Sequence, residues 1–228
     1  MHSKHLDFYE QIEEAFKQAP DITGVIHGSQ RRVLRGAPNR VVSLFPSRKA
    51  GGGFLVEGEL ERSVAICLEC SSVVLRYATQ AMRVTLSARH FVLPDFVVER
   101  CDGSYLVIEV KPSIKGLPDD KRQRYELCKN LLDREGIEFR IIDSYMLPTK
   151  YEFEKLNMFY VRGSQKIWSN DAIEMAIDIL RNHHTQKIVD GRFALKSQGL
   201  PSELCDYLVF HKKWSFADAA NTTKEIAA

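Results

Sequence analysis

The sequence lacks a long hydrophobic run. No apolar stretch in its 228 residues approaches the roughly 18–20 residues that a membrane-spanning helix needs. Residues 1–14 (MHSKHLDFYEQIEE) also lack an apolar core and carry acidic residues early, so we expect no secretion signal. These absences exclude an obvious membrane protein and favour a cytoplasmic location.

Cysteine is also scarce. The five cysteines are odd in number and scattered, which favours reduced thiols over a disulfide framework. Cys67 and Cys70 have C-x-x-C spacing, but a structural zinc site needs four ligands and the sequence holds no second pair. Cys67 falls in an apolar stripe, so we interpret it as a core residue.

Acidic residues are absent from one segment. The whole chain is nearly balanced, with Lys+Arg 32 against Asp+Glu 30, yet residues 22–56 contain no Asp or Glu. A solvated linker is one interpretation of this basic, mostly irregular segment. The other interpretation is an arm that contacts phosphates, because an arginine guanidinium can donate two hydrogen bonds to one phosphate. Its cations are Arg31, Arg32, Arg35, Arg40, Arg48 and Lys49.

The remaining pattern predicts an α/β domain over about residues 54–145, flanked by helices. After Pro148 the pattern is helical, with an amphipathic helix over 169–182 and another over 202–211. We therefore expect a small helical C-terminal domain, with a winged-helix-like arrangement as one form. Apolar periodicity predicts helices over 6–19, 57–69 and 118–134, and strands over 73–79, 82–87, 91–99, 105–111 and 137–143.

A cluster of ionisable residues falls on the two strongest strands. A three-residue turn at Cys101-Asp102-Gly103 would pair Arg100 with Ser104 and set Asp95 opposite Glu109, with Lys111 on the same face. A two-residue turn would shift the register by one and move Asp95 to the other face. The strands are otherwise apolar on both faces, so we expect them to be central and covered on both sides.

Buried carboxylates are costly unless they are paired or bind a metal. One interpretation is an ion-pair cluster of Asp95, Lys111 and Glu109. The other is a Mg²⁺ site, because hard carboxylate oxygens suit that ion and a bound metal activates water for attack on a phosphate. Glu57 and Glu61 lie upstream on the predicted helix at spacings that bring both near one face. Glu57 also suits a solvated helix start.

These residues together resemble the PD-(D/E)XK nuclease superfamily, and more closely the TnsA family of transposon-end endonucleases. The likeness covers about residues 40–162. It runs through Ser43–Lys49, Glu57–Arg62, Leu68-Glu69, Tyr77–Gln80, Leu93–Phe96, Ile108–Pro112 and Lys155–Tyr160. The family commonly has proline after the glutamine, whereas Ala81 follows Gln80 here.

The resemblance implies a restriction-endonuclease-like mixed sheet flanked by helices, and domains at 1–53 (helix and basic arm), 54–161 (nuclease) and 162–228 (helical, partner-binding). It implies metal ligands at Asp95 and Glu109, helped by Glu61 and the Val110 carbonyl, with Lys111 catalytic. Glu57 and Gln80 are further possible site residues. The cofactor would be Mg²⁺, for which Mn²⁺ substitutes.

The resemblance further implies hydrolysis of the non-transferred strand near the 5′ ends of a bacterial transposon, at the nucleoid. The partners would be double-stranded DNA, a DDE transposase (TnsB-like) and an AAA+ ATPase (TnsC-like). Two alternatives stay open: a stand-alone nuclease of resolvase or restriction type, and a non-catalytic DNA-binding adaptor. DNA contacts are expected from the arm cations Arg31, Arg32, Arg35, Arg40, Arg48 and Lys49, and from Lys115, Lys121 and Arg122.

Overall fold

The computed structural model describes residues 7–33, 42–164, 166–220, 223 and 225–228. The predicted contacts Arg35 and Arg40 lie outside these residues. The chain forms two compact units, Met1–Leu147 with Glu225–Ala228, and Pro148–Lys224. In the described residues, no helix has the length and apolar character needed to cross a bilayer.

The described residues contain seven α-helices and eight strands. The helices are α1 (Phe8–Phe16), α2 (Glu59–Cys70), α3 (Asp119–Arg134), α4 (Lys150–Gly163), α5 (Asn170–Asn182), α6 (Ile188–Ser197) and α7 (Glu203–Phe210). The strands are β1 (Ser43–Ser47), β2 (Gly52–Val56), β3 (Val74–Thr79), β4 (Val84–Ser87), β5 (His90–Val92), β6 (Phe96–Arg100), β7 (Tyr105–Lys111) and β8 (Glu138–Asp143).

A four-stranded mixed sheet of order β3-β6-β7-β8 forms the centre of the first unit. Strands β3, β6 and β7 are antiparallel, and β8 pairs with β7 in parallel. Apolar side chains of α1 and α3 pack with Val97 and Val107 against one face of this sheet. Helix α2 contacts β3 and β7, and Phe96, Val98 and Leu106 are buried. The predicted α/β class, with a mixed sheet flanked by helices, is therefore confirmed.

The β6–β7 hairpin has the register that a three-residue turn predicts. Glu99 pairs with Tyr105 and Phe96 with Ile108. The Arg100 amide donates to the Ser104 carbonyl at 2.9 Å, which closes the turn. Gly103 adopts φ +82°, a left-handed conformation that glycine tolerates because it has no Cβ. Continued by one residue, this register sets Asp95 opposite Glu109.

Two local predictions are wrong and one is incomplete. The segment over 22–56, predicted as mostly irregular, also contains β1 and β2, which form an antiparallel hairpin that buries Phe45 and Phe54 opposite each other. The helix predicted from residue 57 begins at Glu59, which leaves Glu57 outside it. The strand predicted over 91–99 is divided between β5 and β6 on either side of Pro94, which has no backbone N–H to donate to a ladder.

The division into units also differs from the predicted domain boundaries. The first 53 residues belong to the same unit as the sheet, and helix α4 belongs to the second unit rather than to the first. The last residues return to the first unit, where Ile226 and Ala227 are buried. Arg100 donates to the Ala227 carbonyl at 2.5 Å and Arg140 to that of Ile226 at 3.0 Å.

The second unit packs around a buried acid. Asp206 on α7 is fully buried, and it pairs with Arg162 of α4 and Arg192 of α6. Helices α4 and α7 approach closely at Gly163, where a Cβ would come within 2.2 Å of the Tyr207 nitrogen. Within the described part of this unit there are helices but no strand, so the β-wing of a winged helix is not seen there.

We expect Gly103→Ala to destabilise the protein, because alanine at φ +82° is strained and the open space at this turn leaves no other cost. The expected loss is about 1 kcal/mol, or about 2–4 °C in melting temperature. Gly116→Ala is the matched control, because its φ is ordinary and its Cβ would meet nothing nearer than 3.8 Å. Equal melting temperatures for the two variants would contradict this account of the turn.

Candidate active site

Asp95 lies between Pro94 and the first residue of the central strand β6. Its side chain accepts two hydrogen bonds, from the Val110 amide at 2.8 Å and from the Gln80 side-chain amide at 3.2 Å. The Gln80 backbone amide also donates to the Asp95 carbonyl at 3.1 Å. Asp95 is therefore held between the end of β3 and the end of β7, with its carboxylate fixed from both sides.

Glu109 is the second carboxylate of the site and is only 5% exposed. One of its oxygens, Oε1, accepts from the Lys111 ammonium and from the Tyr125 hydroxyl, the latter at 2.9 Å. The other oxygen, Oε2, is buried and has no hydrogen-bond partner in the described residues. A buried carboxylate oxygen without a donor is costly, so its direction indicates a place for a cation or a water.

Lys111 stands next to both groups. Its ammonium also donates to the Val110 carbonyl at 3.0 Å and lies 5.7 Å from the centre of the Tyr125 ring. Burial opposes the charged form, but the adjacent Glu109 carboxylate outweighs it and raises the pKa of Lys111. Lys111 is therefore a cation at neutral pH, suited to donate hydrogen bonds rather than to take a proton.

Glu61, in the first turn of α2, contributes the third negative charge. Its carboxylate accepts from the Glu57 amide at 2.8 Å. Burial and the Glu57 carboxylate raise the pKa of Glu61, against the effect of that hydrogen bond. The Glu57 carboxylate itself pairs with the Arg31 guanidinium. The charge of Glu61 acts on Asp95, whose pKa it helps to raise, whereas Glu57 is the partner of a basic side chain.

The carboxylates of the site crowd one another. Burial, together with the charges of Glu109 and Glu61, raises the pKa of Asp95 to about 8. A shift of this kind means that neighbouring acids cannot all be ionised without a compensating cation. Lys111 supplies only one positive charge, so ionisation of all three acids would place net negative charge in a largely buried site.

Divalent cations suit this donor set in two respects. The orphaned Oε2 of Glu109 offers a free ligand atom, and the crowding around Asp95 would be relieved by positive charge. No group of three or more His, Cys, Asp or Glu side chains within the described ranges forms a preformed metal site. Mg²⁺ does not require such a group, because it keeps several waters and binds through one or two carboxylates.

Tyr125 is a site residue that the sequence reasoning missed. It lies on the buried stripe of α3 with Cys128 and Leu132, and burial and Glu109 raise its pKa to about 12. A signal was present in the sequence, because a tyrosine on an apolar stripe needs a partner for its hydroxyl. Gln80, which the resemblance marks as a possible site residue, contacts Asp95 from a backbone conformation with a positive φ of 49°.

The cations predicted to contact DNA differ in their exposure to solvent. Arg32, Arg48, Lys115, Lys121 and Arg122 are exposed. Lys49 differs from the prediction, because its half-buried ammonium donates to the Leu68 and Ser71 carbonyls at the end of α2. Burial lowers the pKa of Lys49. In this fold its ammonium therefore caps the end of a helix.

Asp95→Asn should change how stability depends on pH. In metal-free protein, folded Asp95 keeps its proton up to about pH 8, whereas an unfolded aspartate loses it near pH 4. The stabilisation of the folded state by the protonated Asp95 is complete below pH 4 and is lost as pH rises towards 8. The asparagine variant does not titrate, so its free energy of unfolding, relative to that of the wild type, should rise by a few kcal/mol, on the order of 1.4 kcal/mol for each pH unit of the shift, over this range.

Urea unfolding in EDTA at several pH values between 4 and 8.5 measures this difference. Asp133→Asn is the control, because Asp133 is exposed on α3 and its replacement should leave the difference constant. A constant difference for Asp95→Asn as well would show that the acids do not crowd one another as described.

No protein-family model matches the chain, and no curated protein matches its sequence.

Proposed function

We propose that this protein is a Mg²⁺-dependent DNA endonuclease of restriction-endonuclease-like fold that resembles TnsA. The observation that carries the proposal is the register of the β6–β7 hairpin. It sets Asp95 opposite Glu109, with Lys111 bonded to Glu109 and beside them a buried carboxylate oxygen that has no partner among the residues described. Tyr125 and Gln80, which bond these two carboxylates, support the same site.

Asp95 and Oε2 of Glu109 would hold the metal, with Glu61 and the Val110 carbonyl close by. When bound, Mg²⁺ would lower the pKa of a water and neutralise charge on the phosphate. Lys111 donates hydrogen bonds, so it would orient the attacking water and stabilise charge that develops on phosphate oxygens. Tyr125 shares Oε1 of Glu109 with Lys111, which keeps Oε2 directed away from both.

The substrate would be double-stranded DNA, held by the exposed cations Arg32, Arg48, Lys115, Lys121 and Arg122. Contacts of this type position a duplex without reading its sequence. A DDE transposase (TnsB-like) would therefore supply the choice of site and cut the 3′ ends. The present chain would cleave the non-transferred strand near the 5′ ends. An AAA+ regulator (TnsC-like) would contact the helical second unit.

Plasmid nicking tests the catalytic assignment. With Mg²⁺ and a plasmid carrying the element's ends, we expect Asp95→Ala, Glu109→Ala and Lys111→Ala each to lower the nicking rate roughly 100-fold or more, since each removes a charge from the reacting centre. Asp133→Ala, which removes an exposed acid, should nick at the wild-type rate.

Nicking at the wild-type rate by Asp95→Ala or Lys111→Ala would contradict the assignment of these residues to the catalytic site. Strong cleavage of plasmids without transposon ends, by the isolated protein, would instead favour a stand-alone nuclease of resolvase or restriction type.

Calorimetry with Mn²⁺ tests the metal site independently of activity. We expect binding to the wild type, and a loss of affinity of about ten-fold or more in Asp95→Asn and Glu109→Gln, because each replaces a charged carboxylate ligand by a neutral amide. Tyr125→Phe should lose about ten-fold, because it frees Glu109 from a supporting hydrogen bond.

The contact between Lys111 and Glu109 favours a second candidate, a DNA-binding adaptor in which these residues form a structural ion-pair cluster. Duplex binding by a wild type that takes up no Mn²⁺ would support the adaptor and contradict the nuclease.

A further inference from the structure

We infer that the β4–β5 hairpin is a DNA-contacting element that grips the phosphate backbone of the duplex beside the cut. This inference rests on the proposed function, because it assigns a surface to the substrate of that same site. It concerns the segment between Gln80 and Asp95, none of whose cations was among the predicted contacts.

The hairpin begins and ends at the candidate site. Gln80 precedes it, Asp95 follows it, and the two residues are joined by a backbone hydrogen bond of 3.1 Å and a side-chain hydrogen bond of 3.2 Å. A fully extended chain from Arg89 at the tip to Asp95 reaches at most about 20 Å. That length corresponds to about six base pairs, so the tip stays within reach of phosphates close to the cut.

The charge of the hairpin has one sign. Residues 81–94 contain Arg83, Arg89 and His90 but no Asp or Glu. These three side chains are exposed. Among the described residues, no carboxylate lies at ion-pair distance from Arg83 or Arg89, whereas Arg31, Arg76, Arg100 and Arg140 all pair with glutamates. The hairpin thus keeps its positive charge available for an anionic partner.

The hairpin is also held in one geometry. Val84 and Val92 are buried in the core, and Arg124 of α3 donates to the Phe91 carbonyl. The Arg83 guanidinium stacks 3.7 Å from the centre of the Phe91 ring, and at the tip Ser87 bonds His90 at 3.0 Å. Stacking on an aromatic ring leaves the edge N–H groups of a guanidinium free for a phosphate.

These features together suit duplex DNA. A phosphate backbone offers a row of anions at fixed spacing, and a rigid two-stranded ribbon with fixed arginines loses little entropy on meeting it. Contact through phosphates also agrees with the rest of the proposed interface, which positions the duplex and leaves the choice of sequence to a partner.

The test is the salt dependence of binding to a 30-base-pair duplex of mixed sequence, measured by fluorescence anisotropy in EDTA so that no cleavage occurs. Each phosphate contact contributes a slope of about 0.9 in log K against log salt, equal to about eight-fold in affinity at 0.1 M salt. Arg89→Ala and Arg83→Gln should each weaken binding by about that factor and reduce the slope by about one.

Arg89→Glu should weaken binding further, because it adds repulsion. Arg181→Ala is the control, since Arg181 is an exposed arginine of α5 that already pairs with Asp178 at 3.0 Å. Circular dichroism and melting temperature establish that each variant is folded. Arg89 lies at an exposed turn, so its variants keep the test valid if Arg83→Gln unfolds.

Wild-type affinity and slope in both Arg89 variants would overturn the inference. That result leaves the proposed function intact if the wild type still nicks DNA with Mg²⁺. Loss of nicking in Asp95→Ala with unchanged duplex binding would support the proposed function. Weakened duplex binding in Arg89→Ala would separately support the contact between the hairpin and DNA.

Discussion

Two carboxylates, Asp95 just before β6 and Glu109 on β7, lie close together and largely shielded from water, and the rest of the site depends on their mutual repulsion. Burial and the neighbouring charges raise the pKa of Asp95 to about 8. Lys111 and Tyr125 both bond the same oxygen of Glu109, while the other oxygen has no donor in the described part of the chain. The repulsion is therefore reduced but not removed, which is the electrostatic condition for taking up a cation.

The fold supplies each of these groups from a different direction. The ends of β3 and β7 fix Asp95 through Gln80 and the Val110 amide. Helix α3 packs on the face of the sheet that carries Val97 and Val107 and contributes Tyr125, and helix α2 contributes Glu61. The acids are close together because four separate elements converge at one end of the central strands β6 and β7. Each element also buries apolar surface that holds it there.

Sequence reasoning was most successful where a local rule applied. The three-residue turn with glycine at the left-handed position determined the β6–β7 register, and the register placed Asp95 opposite Glu109. Reasoning was least successful where a short apolar run had two possible partners. The β1–β2 hairpin was taken for part of a mostly irregular arm, and β5 was merged with β6 into one strand across Pro94, since periodicity does not show which strands pair.

The sequence by itself determined the α/β class, the central hairpin, the face shared by Asp95, Glu109 and Lys111, and the acid-free basic segment. These follow from side-chain alternation and turn chemistry, which act over a few residues. Only the tertiary structure decided that Tyr125 and Gln80 bond the two acids, that Lys49 caps α2, and that helix α4 belongs to the second unit. Those outcomes depend on contacts between residues distant in the chain, for which a single sequence carries no periodic signal.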